Sequence, residues 1–177
     1  MPYANVTMLE TDQKVRIAVT SPDKPKIPEK LEKEWMRMLD DAAARLKVST
    51  LLITKVGHKD IEIFAKNTNK NNPYELKGKA PLGSGLYCET VLARNKELNI
   101  ADAGKHPQWK LNPGMKYSMI SYYGLPVKWP DGEFFGTVCM LEKKPVYFSS
   151  ELKRIIGEYR IEIEKNLACL LDDINGR

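Results

Sequence analysis

The residue best suited to chemistry in this sequence is a cysteine at the start of a predicted helix. Cys88 follows the segment Gly83-Ser84-Gly85, in which Ser84 can cap a helix over residues 86–95. A helix N-terminus lowers the pKa of a thiol, so Cys88 could act as a nucleophile. The alternative is that the sulfur is a small buried hydrophobic group, and we favour this for all three cysteines: Cys88, Cys139 and Cys169.

Five aromatic side chains could line a pocket in which a hydroxyl or indole group orients a ligand within an apolar wall: Tyr87, Trp109, Tyr117, Tyr122 and Tyr123. Each could equally belong to the core. Trp109 is the strongest pocket candidate because it lies in a long loop rich in Gly, Pro and Asn, and such loops often cover a site. Asp102 could accept a hydrogen bond from a ligand, although capping of the turn after it is the favoured role.

Strand alternation divides the residues after the loop into two faces. One face carries Met119, Ser121 and Tyr123, and the other carries Ile120, Tyr122 and Gly124. We expect the first set to face the pocket, because Gly124 would permit close approach of a helix on the opposite face.

Composition bounds the class of protein. The chain has 177 residues, of which 42% are hydrophobic, which is enough for one substantial core. The formal charge of +5 is spread among interleaved acids, which favours a solvated basic surface over a nucleic-acid interface. The sequence shows no signal peptide and no apolar run long enough to span a membrane. Three widely spaced cysteines, without a zinc-type pair, indicate a reduced compartment; we expect a cytoplasmic protein without a metal site.

The remaining elements would position these residues. Apolar residues recur at helical spacing from Glu29, and Pro28 suits the first turn of that helix. Residues 49–56 and 61–66 are predicted to be paired strands, and residues 97–101 a short strand. A long hairpin is predicted over residues 117–129 and 133–141, with Pro130-Asp131-Gly132 as its turn. Ser149 should cap a terminal helix whose apolar face exceeds what one sheet requires.

Several short motifs follow one another in the middle of the chain: Leu82-Gly83, Tyr87-Cys88-Glu89-Thr90, Ile100-Ala101-Asp102-Ala103, His106-Pro107-Gln108-Trp109, Asn112-Pro113, the run 119–126, and Trp129-Pro130-Asp131-Gly132. In this order they resemble a GAF domain, the small-molecule sensor module of signalling proteins. The resemblance is to the subgroup found in bacterial sensor histidine kinases and diguanylate cyclases, and it covers residues 29–173.

The resemblance implies an α+β fold related to PAS domains. A central antiparallel sheet would carry the N- and C-terminal helices on one face, and a helix and loop would cover a ligand pocket on the other. Residues 1–28 would form an N-terminal arm or linker, residues 29–173 the sensory domain and residues 174–177 a tail. The implied protein is regulatory rather than an enzyme. We expect it to be a homodimer formed through its first and last helices, because their apolar faces exceed what the sheet needs. It would bind a small molecule non-covalently and signal through its terminal helices to a histidine kinase or diguanylate cyclase.

Within that fold we predict no catalytic residue and no metal ligand. The predicted ligand-binding residues are Phe64, Tyr87, Cys88, Val91, Asp102, Trp109, Met115, Tyr117, Met119, Ser121 and Tyr123. A third possibility, beside a sensor and an enzyme, is a dimerisation module whose pocket is filled by side chains.

The known cofactors of GAF domains are disfavoured by the motifs. Bilin-binding members usually have a Cys-His pair, whereas Cys88 is followed by Glu89. The sequence offers only His58 and His106 as axial ligands for haem, and both are predicted in turns or loops. Asn95-Lys96 matches the cyclic GMP signature, but the Phe and Asp-Glu that accompany it are absent. The alternative function is a thiol enzyme of the free methionine sulfoxide reductase type, whose Gly-x-Gly-x-Cys context resembles residues 83–88 but whose further cysteines are missing.

Overall fold

A computed structural model describes residues 2–176, and within them two β-sheets and three α-helices are found. The helices are α1 (Glu29–Leu46), α2 (Tyr87–Arg94) and α3 (Ser150–Asn175). In chain order the strands are β1 (Tyr3–Met8), β2 (Gln13–Ala18), β3 (Thr50–Val56), β4 (Asp60–Lys66), β5 (Lys79–Pro81), β6 (Leu98–Ile100), β7 (Ser121–Lys128) and β8 (Phe134–Glu142).

Strands β3 to β8 form one antiparallel sheet in the order β5-β4-β3-β8-β7-β6. The β7–β8 hairpin lies near its centre, and Gly132 adopts a φ of +92° in the predicted turn. Strand β6 pairs with β7 only as far as Gly124. Pro126, which lacks an amide hydrogen, therefore lies beyond this pairing. The hairpin prediction is confirmed except at its start, because residues 117–120 precede the strand.

The two long helices cover one face of this sheet, as expected. Trp35 of α1 packs edge-on against Phe64 and Phe135 of the sheet, at centroid distances of 5.9 and 5.8 Å. Its indole Nε1 donates to Oδ1 of Asn166 in α3 at 2.8 Å, which ties the helices together. Ser149 caps α3 by accepting a hydrogen bond from the amide of Leu152 at 3.2 Å. The predicted α+β architecture is therefore confirmed.

The segment predicted to be an arm is more ordered than expected. Within it, β2 pairs with β1 to form a separate hairpin. Val6 and Ile17 of this hairpin are buried in an apolar cluster that includes Leu92 of α2. The hairpin thus helps to hold α2 in place.

Among residues 2–176, no helix combines the length and the apolar character needed to cross a membrane.

Candidate functional site

A cavity of about 340 Å³ lies between the sheet and the elements that cover its second face. Its cover consists of α2 and a loop that contains three short 3-10 helices, Ala103–Lys105, Pro107–Trp109 and Pro113–Tyr117. The principal lining residues are Leu52, Thr54, Ile63, Tyr74, Tyr87, Cys88, Asn112, Tyr117, Tyr122, Cys139 and Leu141. Most of this wall is hydrocarbon or aromatic, with a few polar groups, which is the usual character of a small-molecule site.

The start of α2 is fixed by a buried carboxylate rather than by the predicted serine cap. Ser84 donates its hydroxyl hydrogen to the carbonyl of Pro81 instead. Glu89, which is fully buried, accepts backbone N–H bonds from Gly85 and Leu86 at 3.0 and 2.9 Å. These bonds satisfy amides at the helix entrance that would otherwise lack partners.

The same carboxylate also holds the N-terminal hairpin. Its Oε1 accepts from the amide of Gly83 at 2.6 Å and from the amide of Thr7 in β1 at 3.0 Å. A buried charge is costly unless hydrogen bonds compensate for it, and four donors do so here. Glu89 therefore fixes the helix that carries Tyr87 and Cys88 to the cavity.

Two of the three thiols meet at the cavity wall. Cys88 Sγ lies 3.4 Å from Tyr122 Oη and accepts a hydrogen bond from Thr137 Oγ1 at 3.3 Å. Cys139, two residues beyond Thr137 on β8, is completely buried and lines the same cavity. Cys88 is only partly buried, so the cavity gives access to its sulfur.

Their surroundings give these two thiols different pKa values. A hydrogen bond from Cys139 is the main cause that lowers the pKa of Cys88 to about 7, and Thr137 and Tyr122 lower it further against the effect of burial. Burial raises the pKa of Cys139 well above its ordinary value, and the neighbouring Cys88 adds to this rise. At neutral pH the site therefore holds one thiolate-forming sulfur beside one thiol.

Three aromatic rings stack beside the thiols. Tyr87 lies between Trp109 and Tyr122, with ring centroids 5.3 and 4.8 Å away. Its hydroxyl donates to the carbonyl of Met119 at 2.8 Å, and burial raises the pKa of Tyr87 to about 12. Tyr87 thus remains a neutral donor that anchors α2 to the covering loop.

Asn112 brings one bonded and one unbonded polar atom to the cavity wall. Its Oδ1 accepts from the amide of Gly114 at 2.8 Å, which fixes the start of the third 3-10 helix. Its Nδ2 is buried, and within residues 2–176 it completes no hydrogen bond, although it lies close enough to Tyr87 to oppose the rise of that pKa. A buried donor without an acceptor is unfavourable, so a ligand acceptor in the cavity would stabilise this arrangement.

A family model described as the GAF domain matches residues 37–158. The match spans the six-stranded sheet, the cavity and part of each flanking helix. The chain belongs to the GAF domain family. No curated protein matches its sequence.

Solved GAF domains share its fold at low sequence identity. The GAF domain of Acinetobacter phosphoenolpyruvate-protein phosphotransferase superposes with a TM-score of 0.64 at 18% identity, covering 82% of this chain and 86% of that one. A phycocyanobilin-bound GAF domain of a cyanobacterial phytochrome gives 0.60 at 13% identity, covering 76% and 85%. A free methionine-R-sulfoxide reductase of Neisseria meningitidis, in complex with its substrate, gives 0.57 at 17% identity, covering 79% and 84%.

These likenesses correct one prediction. Bilins were expected to be disfavoured because Cys88 is not followed by histidine. That prediction is wrong, because the solved structures that share this GAF fold include domains bound to phycocyanobilin and phycoerythrobilin. At these identities the likeness concerns the fold and does not identify what this chain binds.

The predicted ligand-binding residues of the GAF domain divide into three groups. Tyr87, Cys88 and Tyr117 line the cavity. A second group belongs to the surrounding apolar cluster without lining the cavity: Val91, Trp109, Met115 and Met119. Asp102 caps the first 3-10 helix by accepting from the amide of Gly104 at 2.9 Å, which is the role favoured from the sequence.

The third group lies away from the cavity. Phe64 packs with Trp35 and Phe135 in the core under α1 and α3, since a bulge between β3 and β4 leaves it without a partner on β3. Ser121 Oγ lies within hydrogen-bonding distance of the carbonyls of Ala101 and Lys144. Tyr123 packs against Phe148, and its hydroxyl donates to Glu97 at 2.7 Å.

The predicted strand faces are therefore reversed for β7. The 3-10 helix at Pro113–Tyr117 and the positive φ of Ser118 delay the strand until Ser121, and Tyr122 then faces the cavity. Gly124 is required by the ring of Tyr122, because a Cβ at this glycine would overlap the Tyr122 hydroxyl. The three atoms nearest to that Cβ position all belong to Tyr122, so the glycine indicates a buried tyrosine two residues earlier.

The cysteine prediction is only partly confirmed. Cys139 is buried, but Cys88 is half-buried at the cavity and Cys169 is exposed on α3. The proximity of Cys88 and Cys139 was not predicted, since 51 positions separate them in the sequence.

Proposed function

We propose that this GAF domain is a cytoplasmic sensory module that binds a small molecule in the cavity and regulates a histidine kinase or diguanylate cyclase. The cavity carries the proposal. Its volume of about 340 Å³ lies at the small end of known ligand sites, and its wall combines aromatic rings with the buried amide donor of Asn112. The chain itself would be regulatory rather than catalytic.

The polar groups indicate the chemistry of the ligand. Asn112 Nδ2 offers a hydrogen bond without an internal acceptor, while Leu52, Ile63 and Leu141 provide apolar contacts. A compact, largely apolar molecule with a carbonyl or similar acceptor would satisfy both. An unpaired buried donor then becomes paired on binding, and this favours the ligand over an apolar molecule of equal size.

Strand β7 connects the cavity to α3. Tyr122 faces the cavity, and the next residue, Tyr123, lies on the opposite face against Phe148, just before α3. Lys153 of α3 also lies over the Tyr123 ring, 5.7 Å from its centroid. If β7 can adopt two positions and the ligand binds one of these states more tightly, binding would shift the equilibrium and move α3. Only this difference in affinity can transmit the signal.

The end of α3 supports the proposed homodimer. Ile163 and Leu167 are buried, but the same helical stripe continues through Leu170, which is half-buried, to Ile174, which is 57% exposed. The stripe therefore extends beyond the part of the helix that the sheet covers. A second copy packed along α3 would bury it and would place two output segments side by side.

The second candidate is a thiol enzyme of the methionine sulfoxide reductase type. The position of Cys88 on the cavity wall and the reductase-like fold favour it. Incubation with free methionine-R-sulfoxide and dithiothreitol tests it directly. Turnover that is lost in Cys88→Ser would replace the sensory proposal with an enzymatic one.

Native mass spectrometry of the purified full chain tests the sensory proposal. We expect a non-covalent adduct of low molecular mass that is released when the protein is denatured. A chain that gives only its bare mass, before and after incubation with a small-molecule extract of the expression host, would contradict it.

A further inference from the structure

Cys88 and Cys139 line the same cavity, and Thr137, two residues before Cys139 on β8, lies 3.3 Å from the Cys88 sulfur, so two sulfurs of different character share one wall. Cys88 comes from the first turn of α2, and Cys139 comes from the middle of β8. Both line the cavity, and Tyr122 and Thr137 contact the Cys88 sulfur. Cys88 is partly buried, and Cys139 is buried.

We propose that Cys88 and Cys139 form a peroxide-sensitive thiol pair, in which a small hydroperoxide entering the cavity oxidises Cys88 and Cys139 then closes a disulfide. This function is additional to the ligand binding proposed above and does not depend on the identity of that ligand.

The first step has a defined nucleophile and leaving group. The Cys88 thiolate attacks the terminal oxygen of the hydroperoxide, the O–O bond breaks, and the sulfur becomes a sulfenic acid. The departing alkoxide or hydroxide takes a proton from solvent and leaves as an alcohol or water. Sulfur loses two electrons, and the peroxide gains them.

The hydrogen bonds at Cys88 suit this step. Thr54 Oγ1 lies 2.6 Å from Thr137 Oγ1, so the Thr54 hydroxyl can donate to Thr137 while Thr137 donates to Cys88. Tyr122 remains protonated because burial raises its pKa well above the ordinary value, so it donates to the sulfur as well. These donors stabilise a thiolate without a neighbouring cationic side chain.

The second step uses Cys139. Its sulfur attacks the Cys88 sulfenic sulfur and forms the S–S bond. The sulfenic hydroxyl takes the Cys139 proton and leaves as water. Oxidation of Cys88 removes the neighbouring thiolate, which is one of the causes that raise the pKa of Cys139, so Cys139 loses its proton more easily in this step. The product would join α2 to β8 at the cavity wall, so oxidation would alter the same site that binds the ligand.

The test uses the full chain in a Cys169→Ser background, because Cys169 is exposed and would otherwise form links between chains. The reduced protein is treated with hydrogen peroxide, the remaining thiols are alkylated, and non-reduced peptides are analysed by mass spectrometry. We expect a peptide pair joined through Cys88 and Cys139, with the loss of two hydrogen atoms. Oxidation at pH 8 should be about tenfold faster than at pH 6, as the thiolate fraction of Cys88 requires.

Two single variants test the two oxidation steps separately. In Cys139→Ser, the sulfenic acid of Cys88 should persist long enough to be trapped by dimedone. In Cys88→Ser, neither the disulfide nor the dimedone adduct should form. A Cys88 that stays reduced in the Cys169→Ser protein, or that forms only links between chains, would overturn the proposal without affecting the ligand-binding result. The Cys169→Ser measurement needs no change in the core, so it decides the outcome even if a core variant is unstable.

Discussion

Tyr122 Oη lies 3.4 Å from Cys88 Sγ, although the two residues are 34 positions apart and belong to different elements. The contact joins β7 to the first turn of α2. It places a hydroxyl donor against the sulfur and an aromatic ring against Tyr87. Tyr123, the next residue of β7, lies on the face of the sheet that α1 and α3 cover. The cavity wall, the hydrogen bonds to Cys88 and the strand that leads toward α3 therefore meet at one tyrosine.

Removal of the Tyr122 hydroxyl should make Cys88 less reactive at neutral pH. Because hydrogen bonds to the thiolate lower the pKa of Cys88 to about 7, Tyr122→Phe should move that pKa upward, toward its ordinary value. Iodoacetamide alkylation in the Cys169→Ser background, followed over pH 5 to 10, would measure the midpoint. Tyr117→Phe is the matched control, since Tyr117 lines the same cavity. Equal midpoints in the two variants would show that the Tyr122 contact has no effect on the thiol.

Glu89→Gln should destabilise the protein by about 3 kcal/mol. The amide can accept hydrogen bonds through its oxygen only, so two of the four backbone donors would face an NH₂ group. Urea unfolding followed by circular dichroism measures the free energy of unfolding. Glu162→Gln, on the exposed surface of α3, is the control and should change it little. A loss below about 0.5 kcal/mol for Glu89→Gln would contradict the role assigned to this carboxylate.

The prediction from sequence succeeded where local signals were strong. Pro28 and Ser149 marked the starts of α1 and α3, and Pro130-Asp131-Gly132 marked the central turn. The face of β7 was misassigned because Gly124 was interpreted as a site of close helix approach, whereas it makes room for the side chain of Tyr122.

The contacts that determine the chemistry of the site could not be predicted from short sequence motifs. Glu89 accepts a hydrogen bond from the amide of Thr7, which belongs to the distant N-terminal hairpin. Cys88 lies near Cys139 only because α2 packs across β8. No local spacing encodes either contact. The sequence supplies a list of aromatic candidates for the pocket, but tertiary packing decides which of them line the cavity.

Gly136 should be intolerant of substitution. A Cβ at this position would overlap the backbone carbonyl of Thr54 on β3, and backbone in the middle of a sheet cannot move aside easily. Gly136→Ala should therefore cost about 3 kcal/mol or prevent folding. Gly157→Ala is the matched control, because its Cβ would meet no atom within 4 Å in the interior of α3. Thermal unfolding should show stabilisation of about 1 kcal/mol for this control, and similar behaviour of the two variants would contradict the packing described for β3 and β8.

The proposed dimer should depend on the stripe at the end of α3. Ile174 follows Ile163 by eleven residues, which returns it to nearly the same side of a helix, whereas Ile161 lies on the opposite side. Both are exposed, at 57% and 47%. Ile174→Glu should convert the dimer to a monomer in sedimentation equilibrium, and Ile161→Glu should leave it intact. A wild-type chain that is monomeric at high concentration would refute the dimer.

Native mass spectrometry of three purified chains tests the central proposal, that the cavity binds a small molecule. Ile63→Trp would fill the cavity from β4, while Leu111→Trp changes a residue of the covering loop that is 82% exposed and outside the cavity. We expect the same small-molecule adduct on the wild-type chain and on Leu111→Trp, and its loss from Ile63→Trp. An adduct of equal abundance on all three chains, or none on the wild-type chain, would contradict a ligand site at this cavity.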